Sequence, residues 1–267
     1  MLLSSMANAW SPSTYNAIIG TAERLDKSSY DRVQVHNVPS STGELENLRF
    51  IDVYQVPLRS IRELTRLYRK YNESVPHPVR QIASGRDWDK SAIILRSRGF
   101  AKPLHNNLSY SYNKLWELAS RESNPELKIN LVAYLVYLRV NAYQPNNTVI
   151  FMDNRSFSQG DYFGYDYCID LPRRDIGQCG NRNLHEFLGS IVGSGPLTTS
   201  TVPHGLDNID DVITASADQA RVLYTLQPNT RVTNQYTADA RTIMLQQASK
   251  AAADVVLIWR HFYGHGH

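Results

Sequence analysis

Four arginines at helical spacing have the most distinctive chemistry in this sequence. They recur every three or four positions over 58–73, where apolar residues recur with the same period. Since residues three and four apart share one helical face, the pattern predicts an amphipathic helix with a guanidinium stripe opposite its buried side. Such a stripe can bind nucleic-acid phosphates, contact another subunit or face solvent. The four residues are Arg59, Arg62, Arg66 and Arg69.

We favour a subunit contact or a solvated face for this stripe over a phosphate site. Glu63 lies within three or four positions of two of the arginines, so local ion pairs can form. The net charge is only +3, and no second basic helix completes a groove. Arg173 and Arg174, in a predicted loop, are a weaker candidate for the same kind of contact.

An aromatic segment over 151–167 is the second candidate surface. Tyr162, Phe163 and Tyr165 lie in it, and the chain has 16 tyrosines in all. Tyrosine combines a large apolar ring with a polar tip, which suits a protein interface. Stacking on nucleic-acid bases and ordinary core packing are the alternatives.

Recognisable catalytic or metal-binding motifs are absent. No HExxH, zinc spacing, GxSxG or P-loop occurs, and the Gly-rich run 189–196 is typical of a helix end. His185 beside Glu186 is the strongest acid–base candidate, although adjacent helical residues point in different directions. We therefore expect no catalytic residue, cofactor or metal site. Cys168 and Cys179 are not in a CxxC pair, which favours free thiols in a reducing compartment, with Cys168 as inert core.

Hydrophobic periodicity, together with the residues typical of helix ends, predicts the secondary-structure elements that position these residues. A helix over 127–138 is apolar nearly all round, which places it at the centre of the core. We predict a predominantly helical α+β fold with a few short antiparallel strands, in a single domain over 1–267. A β-hairpin appendage over 31–57 and a β insertion over 146–182, with strands at 148–152 and 162–171, are part of this prediction. A short apolar run over 92–95 fits strand or helix. The other predicted helices cover 12–27, 58–73, 108–119, 184–191, 207–226 and 237–263.

The overall composition is that of a globular, Arg-rich protein. Of 267 residues 20% are charged, and arginine supplies 21 of the 28 basic ones. The sequence predicts neither a secretory signal nor a membrane span. Few lysines and cysteines, with abundant tyrosine and arginine, make the whole chain resemble virus structural proteins. The resemblance is to a capsid or coat subunit, or to a clamp protein of a segmented double-stranded RNA virus, and no motif carries it.

The resemblance implies a non-enzymatic shell protein that associates with itself and with other shell proteins, in the virion or host cytoplasm. An RNA-coating nucleocapsid protein that uses the Arg59 helix is the first alternative. An enzyme with a site near His185 is the second. A deep pocket that converges on His185 and neighbouring acids would favour the enzyme.

Overall fold

Ten helices and a three-stranded sheet form the part of the chain that the structure, a computed structural model, describes. The described residues are 10–35, 61–71, 73–85, 87–96, 99–101, 104–170, 179, 182–194, 197–198 and 201–264. The elements in chain order are α1 (Pro12–Leu25), α2 (Lys27–Val35), α3 (Arg62–Lys70), α4 (His77–Ser84), β1 (Ile93–Arg96), β2 (Gly99–Ala101), α5 (Asn107–Arg121), α6 (Pro125–Ala142), α7 (Pro145–Thr148), β3 (Val149–Phe151), α8 (Leu184–Ser190), α9 (Ile209–Leu223) and α10 (Asn234–Tyr263).

Helix α6 is the centre of the core, as its all-round apolar pattern predicts. Asn124 caps its start by accepting hydrogen bonds from the amides of Glu126 and Leu127. Almost every side chain beyond the first turn is buried, and α6 packs against α5 and α10. Trp10 fixes the N-terminal region to α6 by donating its indole N–H to the Val140 carbonyl at 3.0 Å. The predominantly helical α+β prediction is confirmed.

The small sheet is mixed. Its order is β2-β1-β3, with β1 antiparallel to β2 and parallel to β3. The sequence predicts antiparallel strands, so the β1–β3 pair differs from the prediction. The physical reason is the long connection through α5 and α6, because a crossover of this kind returns the chain in the same direction. The ambiguous run over 92–95 is strand β1.

Two predicted strands are not strands. Val33 and Val35 belong to helix α2, so the start of the 31–57 hairpin prediction is wrong, and residues 36–57 lie outside the described residues. Asp26 favours the helix because its carboxylate accepts the Ser29 amide at 3.0 Å. Residues 162–170 form turns, and only Cys168 makes an isolated bridge, to Asn183. Within the described part of 146–182, β3 is therefore the one strand.

The two cysteines form a disulfide, so the prediction of free thiols is wrong. Cys168 is buried, and the Cα atoms of Cys168 and Cys179 are 5.0 Å apart, within the range that a disulfide spans. Their separation of 11 residues matches no short redox motif, and the bridge between Cys168 and Asn183 helps to close the loop. The expected reducing compartment has no support from the cysteines.

Candidate functional site

The arginine stripe lies on the exposed face of α3. Arg62, Arg66 and Arg69 are exposed, whereas Leu64 and Tyr68 on the opposite face are buried. The predicted amphipathic helix is thus confirmed over its described part. Glu63 belongs to α3, and its side chain lies outside the described part. Arg59 of the stripe lies outside the described residues. The weaker candidates for the same kind of contact, Arg173 and Arg174, also lie outside them.

Helix α3 is held against the acidic ends of two neighbouring helices. The Tyr68 hydroxyl donates to Glu122 at 3.3 Å, and the Lys70 ammonium lies 3.4 Å from the Glu126 carboxylate. Burial raises the pKa of the Tyr68 hydroxyl, and the nearby Glu122 carboxylate adds to the effect. These contacts fix the orientation of the arginine face relative to the core.

The aromatic segment surrounds a lysine that sequence patterns did not identify. The Lys90 ammonium lies 5.3, 4.6 and 5.1 Å from the ring centroids of Tyr162, Phe163 and Tyr165. Lys90 is only 7% exposed, and burial lowers the pKa of its amine. Tyr162 is 52% exposed, so it covers the lysine and faces solvent at once. The three predicted aromatics are therefore brought together around one cation.

A left-handed turn positions these rings. Tyr162, Phe163 and Gly164 have φ values of 48°, 61° and 88°. The Gly164 amide donates to the Asp161 carbonyl at 3.2 Å, and the Tyr165 amide donates to the Tyr162 carbonyl at 3.2 Å. Two bulky residues in this conformation are strained, and such strain persists only where the surroundings impose it. A Cβ at Gly164 would lie 3.2 Å from the His185 amide nitrogen, a tight contact, so packing favours glycine here as well.

His185 is fully buried beneath this turn. Its Nδ1 lies 2.9 Å from the Phe163 carbonyl and 2.8 Å from the Asn146 amide, and the Tyr165 ring stacks on it at 3.8 Å. Nδ1 donates to the carbonyl when it is protonated and accepts from the Asn146 side-chain amide when it is not, so the tautomer decides which of the two hydrogen bonds forms. The imidazole thus ties α8 to the left-handed turn.

Glu186 does not join His185 in a site. Its side chain is exposed and lines a surface depression with Asp170, Arg182 and Ser190, which His185 does not line. The two adjacent residues therefore point to different environments, as their helical spacing predicts.

Asp161 is a buried carboxyl group at the start of the turn. It accepts the Phe151 amide at 2.9 Å and the Tyr224 hydroxyl at 2.7 Å, so it joins the turn to β3 and to the end of α9. Burial raises its pKa from the ordinary 3.8 to about 7, although these hydrogen bonds favour the charged form. No local sequence pattern indicates this role, since the Tyr224 partner is 63 residues away.

Asp161 should make stability depend on pH. Between about pH 4 and pH 7 the folded chain keeps a proton on Asp161 that the unfolded chain has lost, so stability falls as pH rises through this window. Asp161→Asn should flatten the decline, which we expect to be on the order of 2–4 kcal/mol. Urea unfolding at pH 4.5, 6 and 8 measures the decline in the free energy of unfolding. The exposed Asp239→Asn is the control, and identical pH profiles for Asp161→Asn and the parent would contradict the assignment.

The described residues contain no further site that a metal-binding cluster, a membrane-spanning helix or a related protein would indicate. Among the described residues, no three His, Cys, Asp or Glu side chains are grouped to hold a metal ion. In the same residues, no helix combines the length and hydropathy that crossing a bilayer requires. No protein-family model matches the chain, and no curated protein sequence is significantly similar to it.

Proposed function

We propose that this chain is a non-enzymatic structural subunit that assembles with copies of itself into a protein shell, as a viral capsid or clamp subunit does. The observation that carries the proposal is the location of its exposed large apolar side chains. Among the described residues these are Leu104, Tyr110, Tyr162 and Val222, with exposures from 39% to 58%. Exposed apolar side chains that share one region are typical of an interaction surface.

Backbone and ring contacts place Leu104 and Tyr162 beside the small sheet and bring α9, which carries Val222, to strand β2. The Leu104 amide donates to Ala92 beside β1, and Phe163, next to Tyr162, packs on Ala92. Val222 follows Arg221, whose guanidinium lies 4.2 Å from the ring centroid of Phe100 on β2. Strand β2 is also an edge of the sheet, and edge strands are common places for association.

The occupant of this surface in our proposal is a second copy of the chain. The exposed face of α9 carries Asp211 and Asp218 before Arg221 and Val222. Two copies related by a two-fold axis place α9 antiparallel to itself, so that the basic end of one helix meets the acidic end of the other. Isologous dimers require such self-complementarity.

We expect the purified chain to form dimers or larger assemblies. Leu104→Asp with Val222→Asp should weaken association at least about tenfold, because an uncompensated charge in an interface is costly. Native mass spectrometry and sedimentation velocity over a range of concentrations measure this. Gln246→Asp, at an exposed position of α10, is the matched control and should leave association unchanged. A strict monomer at high concentration, with no partner in its native source, would overturn the proposal.

RNA coating through α3 is the second candidate, supported by the shared exposure of Arg62, Arg66 and Arg69. Our proposal gives this face to protein contacts or solvent. Replacing these three and Arg59 with Gln should therefore leave RNA affinity and its salt dependence unchanged. If the arginines bind phosphates, the slope of log affinity against log salt should fall by about 0.7–0.9 per lost contact. Filter binding between 50 and 300 mM salt, about the range over which such slopes are measured, distinguishes the two.

A further inference from the structure

A cleft lies beside Trp116 of α5 and the last turns of α10. It has a volume of about 680 Å³, within the range of small-molecule sites. Three elements form it: the middle of α5, the segment 202–206 and the last turns of α10. The lining includes Trp116, Leu206, Leu257, His204, Arg260 and His261.

Flat rings and aliphatic side chains form one part of the lining. Trp116 is half-buried, and its ring centroid lies 4.6 Å from that of His261. Phe262 packs edge-on against the same indole at 4.9 Å and holds it in place. Leu206 and Leu257 complete an apolar surface beside the indole. A planar aromatic ligand can stack in such a place, as bases do on aromatic side chains.

Arg260 supplies a positive charge at the rim, and the imidazoles of His204 and His261 lie beside it. His204, Arg260 and His261 are exposed, and no acidic side chain is among the described lining residues. Asp26 lies beside the cleft, and its carboxylate accepts from Nε of Arg260 at 2.6 Å. The Arg260 side chain is 46% exposed and that of Asp26 only 10%. The more buried carboxylate therefore holds the orientation of the exposed arginine. A guanidinium has five N–H donors, and this contact uses the one on Nε.

We propose that this cleft binds a nucleobase that carries a phosphate, either as a free nucleotide or as a residue of a single-stranded RNA. The base packs against the wall that Trp116, His261 and the two leucines form, and the phosphate is bound at the rim by Arg260 with His204. Both halves of the ligand are needed, because the aliphatic and aromatic walls suit a base and the guanidinium suits a phosphate. This site is separate from the arginine face of α3.

Isothermal titration calorimetry with adenosine monophosphate is the first test. We expect saturable binding at one site, and at least tenfold weaker binding of adenosine and of ribose 5-phosphate, each of which lacks one half of the ligand. A 5′-phosphorylated oligoadenylate of four residues distinguishes the sources. Tighter binding of the oligonucleotide indicates a single strand, and equal or weaker binding indicates a free nucleotide. No saturable binding of either nucleotide probe overturns the proposal.

Two matched variants separate the cleft from general effects on the fold. Arg260→Gln and Asp26→Asn both remove the ion pair, but only the first removes the cation from the cleft. Asparagine at position 26 can still accept the Ser29 amide, so the start of α2 keeps its cap. We expect Arg260→Gln to lower the affinity for adenosine monophosphate at least tenfold and Asp26→Asn to leave it unchanged or raise it.

Equal losses in the two variants, or no loss in Arg260→Gln, contradict the proposal. Trp116→Leu should weaken both adenosine monophosphate and adenosine, and Tyr110→Leu, near the start of the same helix, should change neither. Circular dichroism checks that each variant folds. Oligonucleotide binding that Arg260→Gln does not change, and that the α3 arginine substitutions abolish, would also overturn the proposal.

Discussion

Asp254→Ala is expected to destabilise the protein by about 3–5 kcal/mol, because it leaves a buried guanidinium without its counter-charge. Arg139 is fully buried, and its Nε donates to Asp254 at 2.6 Å. The Tyr143 hydroxyl donates to the same carboxylate oxygen at 2.6 Å. Among the described residues, the two terminal nitrogens of Arg139 have no hydrogen-bond partner, and its guanidinium otherwise faces the Tyr112 and Tyr143 rings, so Asp254 is the counter-charge in this network. Chemical unfolding of parent and variant measures the loss.

A combined variant shows whether the loss is due to the uncompensated charge. Arg139→Met, Tyr143→Phe and Asp254→Leu together remove all the polar groups, so this variant should be more stable than Asp254→Ala alone. The exposed Lys114–Glu117 pair is the surface control, and Glu117→Ala should change stability by less than about 1 kcal/mol. A loss below about 1 kcal/mol in Asp254→Ala would mean that solvent reaches the pair.

The start of α1 is predicted correctly, because its signal is local. The helix begins at Pro12, and Ser11 before it accepts the Thr14 amide at 3.3 Å. A cap and a proline act within a few residues of their own position, so no tertiary contact is needed to identify them. The same holds for α8, where Asn183 accepts the Glu186 amide at 2.8 Å.

The aromatic segment 162–171 is predicted as a strand, but its first residues form a left-handed turn. Tyr162, Phe163 and Gly164 all have positive φ. Phe163 is buried and Tyr162 is exposed, as in a strand, but the backbone is left-handed. Period-two patterns do not report the sign of φ, so the sequence could indicate the two faces and not the conformation.

The sequence does not reveal those candidate-site residues whose contact partners lie far away along the chain. Lys90 lies in a segment without periodicity, and its aromatic neighbours follow more than 70 positions later. Arg139 resembles the polar end of an apolar run, whereas its partner is 115 residues away. A charged residue in a core can be recognised only when the compensating group is known. The Tyr162–Phe163–Tyr165 group was found because it is contiguous in sequence.

Leu131→Ala and Leu135→Ala are each expected to destabilise the protein by about 2–5 kcal/mol. Both leucines are fully buried on α6, which helices α5 and α10 cover. Truncation removes the transfer free energy of three carbon atoms and leaves a cavity, which a helix packed on several sides cannot readily close. Urea unfolding followed by circular dichroism gives the change in the free energy of unfolding.

Leu104→Ala is the matched control for this pair, since the same atoms are removed from a side chain that is 58% exposed. Its loss should be well under 1 kcal/mol in the monomer, because little of the leucine leaves water on folding. In an assembled sample the same variant should instead weaken association, since we place Leu104 in the interface. Unfolding at dilute concentration therefore separates the two effects. If the α6 variants were as stable as Leu104→Ala, α6 would not be the centre of the core, and the arrangement of α5 and α10 around it would be wrong.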